Sequence, residues 1–180
     1  MTTSIRILAT LLAALALGPP PAPTAAIGAR LGAVAPRMEG TWVWPAIGPV
    51  VRDFDPPEDP YGAGHRGIDI AAPFGTPVRA PEAGVVTFAG KVGGELYVTI
   101  DHGAGLRSTC SWLSAIAVRK GDVVARGATV GSTGQGHPGA TASHLHFGVR
   151  ADGVYVDPLT FLGPAPVSAL VHLAPDPPSP

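Results

Sequence analysis

Two short motifs in this chain carry side chains that can bind a metal ion. His144 and His146 form an HxH pair, and His65 and Asp69 form an HxxxD pair much earlier in the sequence. Side chains alternate between the two faces of a strand, so both histidines of the HxH pair share one face while Leu145 points into the core. Either motif alone can be structural, but histidine and carboxylate together are typical ligands of a catalytic zinc that keeps one position open for water. Their joint appearance therefore predicts a zinc centre.

The composition favours a domain of strands and tight turns around this centre. The 180 residues are enough for one domain with a core. The 24 glycines and 21 prolines disfavour long helices and suit short strands. The net charge of −1 offers no electrostatic footprint for nucleic acid or for an anionic membrane. We expect an all-β domain that does not bind nucleic acid.

Short strands are predicted throughout the middle of the chain. Alternating or β-branched segments bounded by turn residues occur at 68–70, 77–79, 84–88, 96–100, 106–109, 117–118, 123–124, 129–130 and 154–156, and around His144. Residues 41–45 read as an edge strand that ends at a proline, and 50–64 as a surface loop. No segment shows a sustained helical period. The pattern predicts a compact antiparallel β-sandwich or barrel-like sheet.

The two ends of the chain are expected to lie outside this domain. Arg6 precedes an uncharged apolar run at 7–17, which is too short to span a bilayer comfortably and matches the hydrophobic region of a secretory signal. We interpret 1–29 as a signal peptide, with an uncleaved anchor as the alternative, 30–40 as a linker, and 163–180 as a disordered Pro/Ala-rich tail. We therefore expect the protein to be secreted or to lie in the cell envelope, with no membrane span after the signal is removed. We also expect it to be a monomer.

The motifs HRGIDIAA at 65–72, GTPV at 75–78, VTIDHG at 98–103, KGD at 120–122, HLHF at 144–147 and VDP at 156–158 follow one another in the sequence. In order and spacing they resemble the lysostaphin/LytM-type zinc metallopeptidases. The resemblance covers about 42–162. We therefore expect a LytM-like zinc peptidase domain at 41–162, and the resemblance implies that it is a groove-shaped β-sheet domain of the duplicated hybrid motif type. It also implies that the protein is secreted and uses Zn²⁺ to cleave peptide cross-links of bacterial peptidoglycan.

The same resemblance implies a role for each residue of the two motifs. It places the zinc ligands on His65, Asp69 and His146, and it places on His144 a catalytic histidine that helps to activate the attacking water. The family usually carries a second catalytic histidine in a Tyr-x-His-Leu segment. The aligned segment here reads Cys-Ser-Trp-Leu, with Trp112 in place of the histidine. Losing one such donor typically costs ~100–1,000-fold in rate.

Two other histidines are candidates for the missing role. His102 belongs to the VTIDHG motif, which the family carries beside its usual second histidine, so a structural role is favoured for it. His137 lies on the glycine-rich segment that leads to His144 and is a candidate for lining the groove, in catalysis or substrate binding.

Three functions follow from these residues. The first is a secreted zinc metalloendopeptidase acting on peptidoglycan peptides, which retention of all four motif residues favours. The second is a catalytically weakened LytM-like module that binds peptidoglycan or regulates another cell-wall hydrolase as its partner. The third is a closed structural zinc site, for which the single cysteine, Cys110, would be the fourth ligand. Otherwise we expect Cys110 to be a buried, inert thiol.

Overall fold

Ten strands form one antiparallel sheet in the computed structural model, which describes residues 40–59 and 62–165. A short 3₁₀ helix at Pro158–Thr160 follows the last strand, and no α-helix occurs among the described residues. The strands are β1 (Val50–Arg52), β2 (Ile68–Ala71), β3 (Pro77–Arg79), β4 (Gly84–Val92), β5 (Glu95–Gly103), β6 (Leu106–Ile116), β7 (Val123–Val124), β8 (Thr129–Thr133), β9 (His144–Ala151) and β10 (Val154–Val156).

The sheet has a long central path with short additions. The path runs β1-β2-β9-β6-β5-β4-β7, while β10 pairs with β9, and β3 joins through β8, which pairs with β6. Every strand pair is antiparallel, and the sheet does not close on itself. The predicted all-β, antiparallel fold is therefore confirmed, in the form of an open sheet.

Strand β9 shows how the core fixes side-chain direction. Leu145, Phe147 and Val149 are fully buried in the hydrophobic core. Burying a side chain of this size contributes about 1.5–3 kcal/mol each, so a slip of one residue in register would expose all three. The alternation that buries these residues turns His144 and His146 to the other face of the strand.

Three local predictions differ from the structure. The edge strand predicted at 41–45 is wrong, because only an isolated bridge joins Trp42 to Leu162. Trp42 instead packs its buried ring on Phe161, and its backbone N–H donates to the carbonyl of that residue. No strand forms at 117–118, where β6 has already ended, and β1 lies inside the predicted loop at 50–64.

The predicted terminal segments fall mostly outside the described residues. These are the signal peptide at 1–29, the linker apart from Gly40, and residues 166–180 of the predicted tail. Within 40–59 and 62–165 there is no helix with the length and apolar character needed to cross a membrane.

Candidate metal centre

The pairing of β2 with β9 positions three of the predicted site residues. The register places Asp69 opposite His146, and Ala71 opposite His144. Leu145, between the two histidines, is fully buried, so the two imidazoles share the face of β9 that lies beside Asp69. Sheet register, a backbone property, thus sets which carboxylate meets which imidazole.

The fourth predicted residue, His65, comes from the segment before β2. Two backbone hydrogen bonds, of 2.9 and 2.6 Å, join it to Asp55 in an isolated antiparallel bridge. Gly67 then lets the chain pass close to β9. A Cβ at that position would lie 2.9 Å from His146 Nε2 and closer still to the carbonyl oxygen of Phe147. The close approach of the two backbones therefore requires glycine at this point.

His65, Asp69 and His146 bring three ligand atoms together. His65 Nε2 lies 3.1 Å from Asp69 Oδ1 and 3.0 Å from His146 Nδ1. His146 Nδ1 lies 2.8 Å from the same carboxylate oxygen. Asp69 and His65 are buried and His146 is partly exposed, so the cluster opens to solvent on the side of His146.

The hydrogen bonding of His65 indicates that a cation fits this cluster. Its Nδ1 lies 2.6 Å from the carbonyl oxygen of Asp53, which can only accept, so the neutral ring carries its proton on Nδ1. The lone pair of His65 Nε2 then faces a lone pair of Asp69 Oδ1, and the two repel each other. A cation bound between the two atoms would turn this repulsion into attraction. Tetrahedral zinc with ligand bonds of about 2.0–2.1 Å separates its ligand atoms by about 3.3 Å. The observed triangle needs only a small expansion to accept it.

Burial and neighbouring charges set the protonation of two of these residues. Burial acts to raise the pKa of Asp69. The hydrogen bond from His146 and the charge that the imidazoles can carry act in the opposite direction and outweigh burial, so the pKa of Asp69 is below its ordinary value. Burial is the main reason that the pKa of His65 is lowered. An ionised carboxylate and a neutral imidazole are the states in which these groups bind metal.

A second group lies on the other oxygen of Asp69. His137 Nε2 is 3.6 Å and His144 Nε2 is 3.8 Å from Asp69 Oδ2. The two imidazole centroids are 4.8 Å apart in an edge-on arrangement. His144 Nε2 is buried and has no hydrogen-bond partner within the described part of the chain. Asp69 thus stands between two histidine pairs, and each pair faces one of its oxygens.

A cavity of about 550 Å³ lies beside the cluster. Trp112 forms part of its wall with φ of +62°, in the left-handed region that residues other than glycine rarely adopt. Its ring lies 6.4 Å from the ring of His137, and the two meet edge-on. The side chains around the cavity include His65, His146, Tyr97, Tyr155 and three arginines, Arg66, Arg107 and Arg150.

The structure brings together all four predicted site residues and separates them from His102. That imidazole lies against the ring of Trp42, with centroids 4.6 Å apart, and hydrogen bonds to the Ala83 carbonyl and the Ser108 hydroxyl. Both ring nitrogens are therefore engaged within the sheet, as expected for a structural residue. His137, which the sequence offered only as a candidate, joins the site, and its sole signal was a place on the glycine-rich loop before β9.

Cys110 belongs to neither of the two groups of metal-binding side chains found in the described residues. It pairs with Phe147 across β6 and β9, and its side chain lies in the core. Burial raises the pKa of its thiol to about 12. A fourth zinc ligand from this cysteine has no support in the structure.

Comparison with known proteins identifies the family to which this chain belongs. The family model of Peptidase family M23 matches residues 63–158. A DD-carboxypeptidase/endopeptidase of Neisseria meningitidis serogroup B is 43% identical over 107 residues, which are 57% of this chain and 24% of that protein. The chain spans about half the length, 52%, of mycobacterial relatives that it also matches, so it is similar to one part of those proteins.

Two solved structures extend the likeness to the fold. A zinc-containing peptidase from Vibrio cholerae aligns with a TM-score of 0.59 at 27% identity, over 70% of this chain and 41% of that chain. A chain of the SpoIIQ–SpoIIIAH pore-forming complex aligns with a TM-score of 0.61 at 27% identity, over 74% of this chain and 97% of that chain.

Proposed function

This chain belongs to Peptidase family M23, and on that premise we propose that it is a secreted zinc metalloendopeptidase that hydrolyses peptide cross-links of bacterial peptidoglycan. The observation that carries the proposal is the convergence of His65, Asp69 and His146, with His144 beside them, at the edge of a cavity. The activity named for the Neisseria relative and the zinc named for the Vibrio structure support it.

In this proposal His65 Nε2, Asp69 Oδ1 and His146 Nδ1 hold Zn²⁺. When bound, zinc polarises the scissile carbonyl and makes an attacking water more acidic. The carbonyl of Asp53 fixes the tautomer of His65 and the orientation of its ring, as outer partners of metal ligands commonly do. Three protein ligands leave a position open for chemistry, in contrast to a closed structural site.

His144 takes the proton of the attacking water. Its Nδ1 lies 3.0 Å from the carbonyl oxygen of Ala142, so the neutral ring is protonated there and Nε2 carries a free lone pair. As the water oxygen bonds to the carbonyl carbon, one water proton moves to Nε2. That proton passes to the amide nitrogen when the C–N bond breaks, and the other is released from the new carboxyl group to solvent.

The cavity suits an extended peptide that carries negative charge. Its lining has three arginines, and no Asp or Glu among the described residues. Arg107 already pairs with Asp101, whereas Arg150 stacks on Tyr155 and donates to its hydroxyl. The aromatic rings offer apolar contact to the peptide, and the guanidinium groups offer hydrogen bonds to its free carboxylates.

Digestion of purified peptidoglycan by the full chain tests the proposal. We expect zinc-loaded protein to release fragments with new peptide termini, identified by mass spectrometry. Chelator-treated protein and the His146→Ala variant are the controls, and both should release none. A protein shown to contain zinc that produced no new termini would refute the endopeptidase.

The second candidate is a module that binds peptidoglycan or regulates a cell-wall hydrolase. Trp112 at the cavity wall favours it, as does the likeness to a chain of a pore-forming complex. Under this candidate, zinc-loaded protein sediments with peptidoglycan without cleaving it. Cleavage that disappears in both controls would exclude it in favour of the peptidase.

A further inference from the structure

We propose that His137 is a second catalytic histidine, which accepts one hydrogen bond from the attacking water while His144 accepts the other. The inference rests on the proposed peptidase function and adds to it a residue from outside the two sequence motifs. It depends on the geometry of two imidazoles and one carboxylate.

The two histidines converge on one point from different parts of the chain. His144 is the first residue of β9, and His137 lies on the loop before that strand. Both Nε2 atoms lie within 3.8 Å of Asp69 Oδ2, the oxygen that faces away from His65 and His146. The two histidines therefore converge on one oxygen of the Asp69 carboxylate, and the other oxygen of the same carboxylate is the proposed metal ligand.

Backbone carbonyls fix the same tautomer in both rings. His137 Nδ1 lies 3.1 Å from the carbonyl oxygen of Pro138, and His144 Nδ1 lies 3.0 Å from that of Ala142. Since a carbonyl only accepts, each neutral ring carries its proton on Nδ1 and leaves Nε2 as an acceptor. A water molecule has two O–H donors. Two acceptors that bind both hydrogens leave its lone pairs directed away from the histidines, free to attack a carbonyl carbon.

Trp112 cannot take this role, although it lies close by. An indole has one N–H donor and no acceptor, so the side chain of Trp112 cannot receive a water hydrogen. Its ring instead lies edge-on to the ring of His137, with the two centroids 6.4 Å apart. The side chain of His137 is 32% exposed, against 4% for His144, so His137 is the imidazole of the pair that a substrate in solution can reach.

Three variants of the full chain, each loaded with zinc, test the assignment. His137→Ala should lower kcat for peptidoglycan cleavage by about 100-fold or more, with KM changed by no more than about threefold. His137→Gln should recover part of the loss, because its amide oxygen is an acceptor. Thr141→Ala is the matched control, an exposed residue of the same loop, and should cleave at the wild-type rate. Equal rates for His137→Ala and Thr141→Ala would overturn the proposal.

Two measurements that need no turnover complete the test. Elemental analysis should find one zinc per chain in the wild type and in His137→Ala. Two zinc ions in the wild type and one in the variant would make His137 a metal ligand and overturn the assignment. Long-range ¹H–¹⁵N spectra of the zinc-loaded protein should show His137 protonated on Nδ1, and a proton on Nε2 would also overturn it. If the wild type cleaves no peptidoglycan, the proposed function fails, and the spectra still decide separately whether His137 offers an acceptor.

Discussion

Gly136 gives a way to displace His144 without touching any proposed metal ligand. It has φ of +90° and lies directly against the imidazole of that histidine. A Cβ at Gly136 would lie 2.8 Å from His144 Nε2, and closer still to Nδ1 and Cε1. The overlap leaves no room for the ring in its present position. In Gly136→Ala the imidazole must rotate or the loop must move.

The neighbouring Gly139 provides a matched control. It lies in the same loop with φ of +83°, and a Cβ there meets no atom within 4 Å. Alanine in a left-handed conformation costs about 1–2 kcal/mol at either position. The difference between Gly136→Ala and Gly139→Ala therefore separates the steric effect on His144, and on the adjoining His137, from the backbone strain that the two variants share.

The expected difference is large. A positioned general base contributes roughly 100–10,000-fold to a rate, so Gly136→Ala should cleave peptidoglycan at least about 100-fold more slowly than Gly139→Ala. That loss corresponds to about 2.7 kcal/mol of transition-state stabilisation. Zinc content should stay at one per chain in both variants, because the three atoms nearest to the added methyl group all belong to His144, which is not a proposed ligand. Rates are to be measured as new peptide termini per zinc-loaded protein, with thermal unfolding measured in parallel.

Two results would contradict this reasoning. Equal cleavage rates in the two glycine variants would mean that the position of His144 does not limit the reaction. Loss of zinc in Gly136→Ala alone would mean that zinc binding depends on the position of His144. The assignment of Asp69 Oδ1 to the metal and of Asp69 Oδ2 to the His137–His144 pair would then be wrong.

Three further predictions concern the metal, a buried histidine and the thiol. His146→Ala should abolish stoichiometric zinc binding in dialysed protein, since one of three ligands is lost; retention of one tightly bound zinc would contradict the ligand assignment. Burial lowers the pKa of His102 below 6.5. Above pH 6.5 the contribution of the neutral imidazole to stability is therefore complete. This contribution declines as the pH falls toward the pKa of His102 in the folded protein, because the unfolded chain then binds more protons. The drop in Tm between about pH 7 and pH 5 should be smaller in His102→Gln than in the wild type, and identical drops would refute the role of burial. Because burial raises the pKa of Cys110 to about 12, a thiol reagent at about pH 8 should modify unfolded but not native protein, and modification faster than unfolding would show an accessible thiol.

Local sequence pattern was sufficient where the signal had a period of two. The alternation at 96–100 falls within β5, and the segment at 154–156 is β10 with the predicted bounds. It failed where a distant partner decides the conformation. Trp42 looked like part of a strand, but its ring is buried against Phe161, and its backbone pairs with a segment at the other end of the domain.

The sequence by itself determined that His144 and His146 share a face, because strand geometry depends only on residue spacing. The resemblance of the motifs to a known family supplied the proposed zinc ligands, and their roles remain proposals. The spacing of residues within a motif could not state which groups meet across strands. That depends on the register of β2 against β9, which sets Asp69 opposite His146.

Tertiary structure separated the two histidines that the sequence offered as candidates for the missing role. His102 and His137 have similar local signals, since each lies beside a glycine in a polar segment. The sheet packs His102 under Trp42 with both ring nitrogens hydrogen bonded, whereas the loop before β9 carries His137 back to Asp69. The physical reason is that a histidine acquires its role from the atoms around its ring nitrogens, and long-range packing brings those atoms there.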